Sequence, residues 1–207
     1  MMLSLRVAAL ALFLVGIGAS EARAQFGVHV VGANINHELM GPAFGGYAHF
    51  PIGKTKFRVG FEYLRGSSGD LRSECAGLVP IDEDCTPRLG VNDYSLATIP
   101  AEFLLGNWRR GNFAADIILS GRVGGIASSF RANGSDRKLS ASKAVFGGHA
   151  GIATSWLPWA NGRAGLELSA AVGGLKSFRS ENCCDGYWPF NDGISFTRAT
   201  LGTTYRF

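Results

Sequence analysis

The sequence predicts an all-β chain: eight antiparallel strands, wound up and down into a closed barrel that crosses a membrane, behind a cleaved leader. Three observations carry this reading. Segments of strand length alternate apolar residues with small or polar ones, the period-two signature of a sheet with two unlike faces. Short turns alternate with long polar connections along the chain. Aromatic residues gather where the apolar segments end, as the two interfaces of a bilayer select. Composition agrees, since 29 glycines, seven prolines and 17% charged residues describe a glycine-rich β protein and not a disordered chain.

The first element is the leader. Arg6 precedes an apolar run from Val7 to Ile17, followed by small and polar residues and then Ala22-Arg-Ala24. That is the tripartite pattern of a secretory signal peptide with an Ala-x-Ala cleavage site, expected over 1–24. The run is shorter than the roughly 20 residues that a helix needs to span a bilayer. Any membrane crossing therefore falls to strands. The chain carries 20 basic and 16 acidic residues, net +4, and losing the leader removes two arginines and one glutamate. So small and dispersed a charge gives no footprint for nucleic acid.

Strands are expected near 26–35, 43–50, 56–65, 94–105, 112–126, 143–156, 163–177 and 194–207, one barrel domain over 25–207. Three connections are short: Pro51 to Thr55, Gly106 to Gly111 and Leu157 to Gly162. The others, near 36–42, 66–93, 127–142 and 178–193, are longer and polar. Turns at one end and loops at the other is the asymmetry of a transmembrane barrel. Most of these strands are long enough for the roughly 9–11 residues of a tilted crossing.

Parity then separates the faces. Phe57, Val59, Phe61 and Tyr63 oppose Arg58, Gly60 and Glu62. Phe113, Ile117, Leu119 and Val123 oppose Asp116, Ser120 and Arg122; Phe146, Ile152 and Trp156 oppose Gly147, His149 and Ser155. In the seventh strand Leu166, Leu168 and Val172 oppose Glu167, Ser169 and Gly173. A soluble ligand-carrying barrel would turn the apolar set inward. The polar set is mostly Gly, Ala, Ser and Thr with one or two charges per strand, which suits a crowded bore better than a wet exterior. Trp108, Trp156, Trp159, Phe50, Phe57, Tyr205 and Phe207 fall at the short-turn end, with Tyr63, Phe178 and Phe196 toward the other. The apolar face is therefore placed on lipid.

The final segment, Leu201-Gly-Thr-Thr-Tyr-Arg-Phe207, alternates strictly and ends on its own aromatic. It resembles the last strand of a bacterial outer-membrane β-barrel, whose terminus is read by the assembly machinery. With the eight strands, the whole of 25–207 resembles the small single-domain outer-membrane barrels of the outer-membrane protein A membrane-domain type. The resemblance implies location in the bacterial outer membrane, turns in the periplasm, loops outside, and Tyr205 and Phe207 as assembly signal. No peptidoglycan-binding domain is expected after Phe207. Partners implied are outer-membrane lipid, the assembly machinery and a host or surface ligand met by the loops.

An eight-stranded barrel is just wide enough for its inward side chains to fill it. The expected polar network of the bore is Arg58, Glu62, Glu102, Asp116, Arg122, His149, Glu167 and Arg198. His29 and His49 share their parity, and Arg163 and Arg206 lie near the rim. Unpaired charge there would cost several kcal/mol per ion, so pairs are expected, with Arg58, Glu102 and Asp116 as one cluster. A structural plug outweighs a proton or ion path.

The loops hold all four cysteines, Cys75 and Cys85 in the second, Cys183 and Cys184 in the fourth, as fits an oxidising compartment. Cys75–Cys85 is favoured among the three pairings, although a bridge between the two loops stays open. Neither Cys183-Cys184-Asp185 nor Asp82-Glu-Asp84 has the spacing of a metal site. Tyr187, Trp188 and Phe190 offer an aromatic tip for surface interaction. Lipid A deacylases of this architecture carry His-x-Ser on a lipid-facing strand, whereas His149 is followed by Ala150 and Gly151 and points inward. His37, Ser68 and Asp70 occupy loops where barrel palmitoyltransferases hold their catalytic residues, without the amphipathic helix that precedes those barrels. The expectation is a surface structural or adhesion protein, with a narrow solute channel as the alternative and a lipid A-modifying outer-membrane enzyme after it; no enzymatic activity, no cofactor and no metal are expected.

Overall fold

A computed structural model describes residues 25–35, 42–52, 56–73, 88–132, 138–177 and 193–206. Eight strands follow one another: β1 (Gln25–Ile35), β2 (Pro42–Pro51), β3 (Phe57–Ser73), β4 (Arg88–Arg110), β5 (Phe113–Ala132), β6 (Lys138–Trp159), β7 (Ala164–Ser177) and β8 (Ile194–Arg206). Each pairs antiparallel with the next, and β1 pairs with β8 from Gln25↔Arg206 to Ile35↔Phe196, which closes the barrel. Closure pairs the first strand with the last, so that through the apolar belt each described strand has a neighbour on both sides, the condition a strand must meet in hydrocarbon. No described helix is long and apolar enough to cross a membrane.

The eight expected strands are all present, and the central ones are longer than polarity alone suggested. β4, β5 and β6 run for 23, 20 and 22 residues. Sequence such as Ser128-Ser129-Phe130-Arg131 is polar on its outward face, so it reads as loop, yet it continues the ladder beyond the apolar belt. The short-turn end differs in the same sense. Gly106 to Arg110, expected as a turn, belongs to β4 and contains a bulge between Leu105 and Trp108. β6 likewise runs to Trp159 past a bulge, and the chain reverses through a tight turn at Ala160–Gly162, with Ala160 and Asn161 at left-handed φ of 50° and 56°. Bulges of this kind bend a strand at a barrel rim.

Mid-strand Pro100 fits because it faces Gly60 across β3 and β4 where the ladder skips. The register is the same at Val59↔Ala101 and at Glu62↔Thr98, and the ladder passes over the positions between them. A proline has no N–H to give there.

Parity is kept around the ring. Val30, Ile99, Phe103, Ile117, Leu119, Val123, Ile152, Leu168, Val172 and Leu201 are exposed on the outside. Trp108, Trp156, Trp159, Phe113 and Tyr205 form an outward aromatic girdle at the short-turn end. Within it Phe113 stacks on Trp156 at 6.1 Å and Trp156 meets Trp159 at 5.8 Å. Phe196 departs from expectation: it is buried, not part of an outer band. It shares parity with Arg198 and Thr200, which also point inward.

Candidate functional site

Two layers stand out among the described interior residues. Toward the long-loop end, Ile35, Leu64, Leu96, Ile126, Val145, Leu175, Ile194 and Phe196 form one buried apolar cluster. This layer was not anticipated, because the inward face was expected to carry mostly small residues with one or two charges per strand. Its signal was present: Leu64, Leu96 and Ile126 keep the parity of Glu62, Thr98 and Arg122 after the charged stretch ends. Below this layer sit the charges.

Six of them form one alternating chain across the bore. Arg122 donates through Nη1 to Glu62 at 2.8 Å, and Arg198 donates to the other oxygen of the same carboxylate. Through Nη2, Arg198 also reaches Glu102 Oε1 at 2.8 Å. Arg58 donates from Nε to Glu102 Oε2 at 2.5 Å and from Nη1 to Glu167 Oε1 at 2.8 Å. Positive and negative groups therefore alternate from Arg122 through Glu62, Arg198, Glu102 and Arg58 to Glu167. All six are at most 5% exposed. They come from β3, β4, β5, β7 and β8, so the chain ties walls of the barrel that share no backbone ladder.

Aromatic faces finish the guanidiniums. Arg122 lies 4.8 Å from the centroid of the Phe196 ring and Arg198 5.1 Å from that of Tyr47. Desolvated contacts of this type add favourable energy to a cation already paired. They also join the charged layer to the apolar one above. His149 Nε2 lies 3.1 Å from Glu102 Oε1 and 3.0 Å from Arg198 Nη2.

Arg58 and Glu102, expected in one cluster, are together. Asp116 is not with them. It pairs with Lys56 at 2.7 Å nearer the short-turn rim, partly exposed, and Lys56 also donates to the carbonyl of Gly106. The expectation put the β4–β5 turn at Gly106 to Gly111 and so set Glu102 and Asp116 at equal heights. In the structure β4 continues to Arg110, and Glu102 pairs with Ser120, four residues further along β5.

His29, His49 and Glu167 form a second grouping, with one ligand-type atom from each lying within 4.8 Å of the others. The two imidazoles stack at 5.0 Å and 14°. Both histidines were on the inward parity, but their approach to Glu167 depends on closure of β1 against β8 and could not be read from neighbouring strands. Cys75, Cys85, Cys183, Cys184, Tyr187, Trp188, Phe190 and Phe207, together with the leader, lie outside the described residues. Tyr205 faces outward opposite Phe26 and Ala164.

An apolar exterior around a charged bore defines a small β-barrel of the membrane-spanning kind. No known family matches the chain, and no curated protein matches it in sequence. Among solved structures, Ail, the attachment invasion locus protein of Yersinia pestis, is similar at 14% identity, covering 90% of this chain and 99% of its own, TM-score 0.44. Neisserial surface protein A is similar at 13% identity, covering 89% and 96%, TM-score 0.46. A major outer membrane protein from Thermus thermophilus shares 13% identity over 89% and 99%, TM-score 0.48. These likenesses are of fold.

Proposed function

We propose that this chain is a bacterial outer-membrane surface protein, exported behind residues 1–24, whose filled barrel holds outer loops in place for contact with a surface or host ligand. The observation that carries the reading is the pairing of an exposed apolar belt with an interior in which guanidiniums, carboxylates and aromatic rings meet across the bore. Exposed apolar area on this scale needs lipid or a partner to cover it. The charged layer leaves no lining suited to solutes, and the apolar layer above it closes the same path again. Chemistry would need a nucleophile and base within reach of substrate, and the described polar residues of the bore are committed to one another or buried. Function then falls to the connections near 36–41, 74–87, 133–137 and 178–192, with Cys75–Cys85 as the favoured brace and Tyr187, Trp188 and Phe190 as the interaction tip.

Fractionation of expressing cells, combined with a gel of heated and unheated samples, tests the first half. The protein should enter the outer-membrane fraction and migrate differently before and after boiling. Deleting 179–192 should keep that mobility shift and abolish binding to host cells or matrix components. A detergent-free, water-soluble monomer with its sheet intact would overturn the membrane reading. Undiminished binding by the deletion variant would overturn the role of the fourth loop.

A further inference from the structure

We propose that His29, His49 and Glu167 form a binding site for a divalent metal ion of the zinc class, inside the barrel and across its closure seam. Three independent features converge there. The first is the donor set: two imidazoles and one carboxylate, with ligand atoms within 4.8 Å of one another. Two histidines and a glutamate are a known three-ligand set for zinc, leaving a fourth position for water. Imidazole also suits nickel and copper, so selectivity would follow metal availability.

The second feature is unspent bonding capacity. All four ring nitrogens of His29 and His49 are buried without a hydrogen-bond partner, although the residues are only 2% and 1% exposed. An unsatisfied buried polar atom is costly, and each imidazole brings a lone pair suited to a metal. Glu167 stands at the end of the alternating charge chain. Glu62 and Glu102 each take two guanidiniums, whereas among the described residues Glu167 takes only Arg58, with His29 Nε2 at 3.8 Å. Arg58 opposes an incoming cation and would temper its affinity, while Glu167 can bridge the two.

The third feature is the space made for the rings. A Cβ on Gly27 would come within 2.3 Å of His49 Cε1, and one on Gly202 within 2.1 Å of His29 Cδ2. The His49 ring thus sits over Gly27, and His29 lies close against Gly202, each a glycine of the neighbouring strand. Closing ligand distances to about 2.0–2.2 Å from a metal asks for modest side-chain rotation. His49 is two residues from the end of β2, so the site lies near the short-turn rim.

Position gives the site a job. His29 and His49 sit on β1 and β2, and Glu167 on β7, on the two sides of β8. A bound ion would span the seam where first and last strands meet, and so stabilise the closed barrel.

The test is titration of the folded full-length mature chain in detergent with Zn²⁺ against a chromophoric indicator, and with Co²⁺ followed by visible absorption. The same titrations are run on a form with all four cysteines changed to serine. Expected are one Zn²⁺ per chain in both forms, a low-coordinate Co²⁺ spectrum without a thiolate charge-transfer band, and a higher temperature for loss of the fast-migrating band. His49→Gln and Glu167→Gln should each weaken Zn²⁺ by about tenfold or more. Absence of saturable binding, loss of binding on removing the cysteines, or unchanged affinity in His49→Gln would overturn the proposal. Should the variants fail to fold, the Co²⁺ spectrum of the unsubstituted chain decides alone: an aquo or thiolate spectrum overturns it.

Discussion

Glu102 has no exposed surface and takes Arg58, Arg198 and His149 on its two oxygens. Glu62 likewise holds Arg122 and Arg198. Three guanidiniums and three carboxylates balance, and removing one member strands a buried charge. Glu62→Gln should therefore cost about 3–5 kcal/mol, read from urea unfolding in detergent. Glu102→Lys adds a cation beside two others and should abolish the heat-modifiable band altogether. A folded Glu102→Lys barrel of ordinary mobility would show that the ion chain does not support the fold. At this scale the sequence was partly legible. Parity selected Arg58, Glu62, Glu102, Arg122, Glu167 and Arg198 as inward residues, but the partner of each depends on register and closure. Asp116 went to Lys56 for that reason, and His29 met Glu167 only because β1 returns to β8.

At the scale of elements, each strand is a boundary between two solvents. Ile152 on β6 lies four residues from the aromatic girdle at Trp156, opposite Ile117 on β5, and is 59% exposed. In lipid, Ile152→Arg should cost about 2–4 kcal/mol, falling toward zero for the same change near an interface. Unfolding in phospholipid vesicles measures it. A neutral or stabilising effect would mean that this face meets water. Strand existence was legible from alternation, because the period survives every substitution that keeps one face apolar. Strand ends were not. β4, β5 and β6 rise past the belt, where both faces meet polar surroundings or buried residues and the hydrophobic contrast that marks a strand disappears. The bulges at Leu105/Trp108 and Trp156/Trp159 hid the turns in the same way.

For the whole molecule, the order of layers is what gives the barrel its character. Lipid-facing side chains surround a ring of paired charges, which is capped by aromatic and aliphatic residues toward the long loops. Such a bore holds its walls together through side chains as well as through the ladder. Alternation separated an apolar outward set from an inward set that holds the charges, whereas the apolar cap escaped because inward residues were read as mostly small, with one or two charges per strand.

Electrical recording tests this arrangement most directly. Heat-modifiable protein reconstituted into planar bilayers should leave the membrane at its baseline conductance, without discrete steps across the usual range of voltage. Stable, reproducible single-channel steps from the folded barrel would contradict a filled interior.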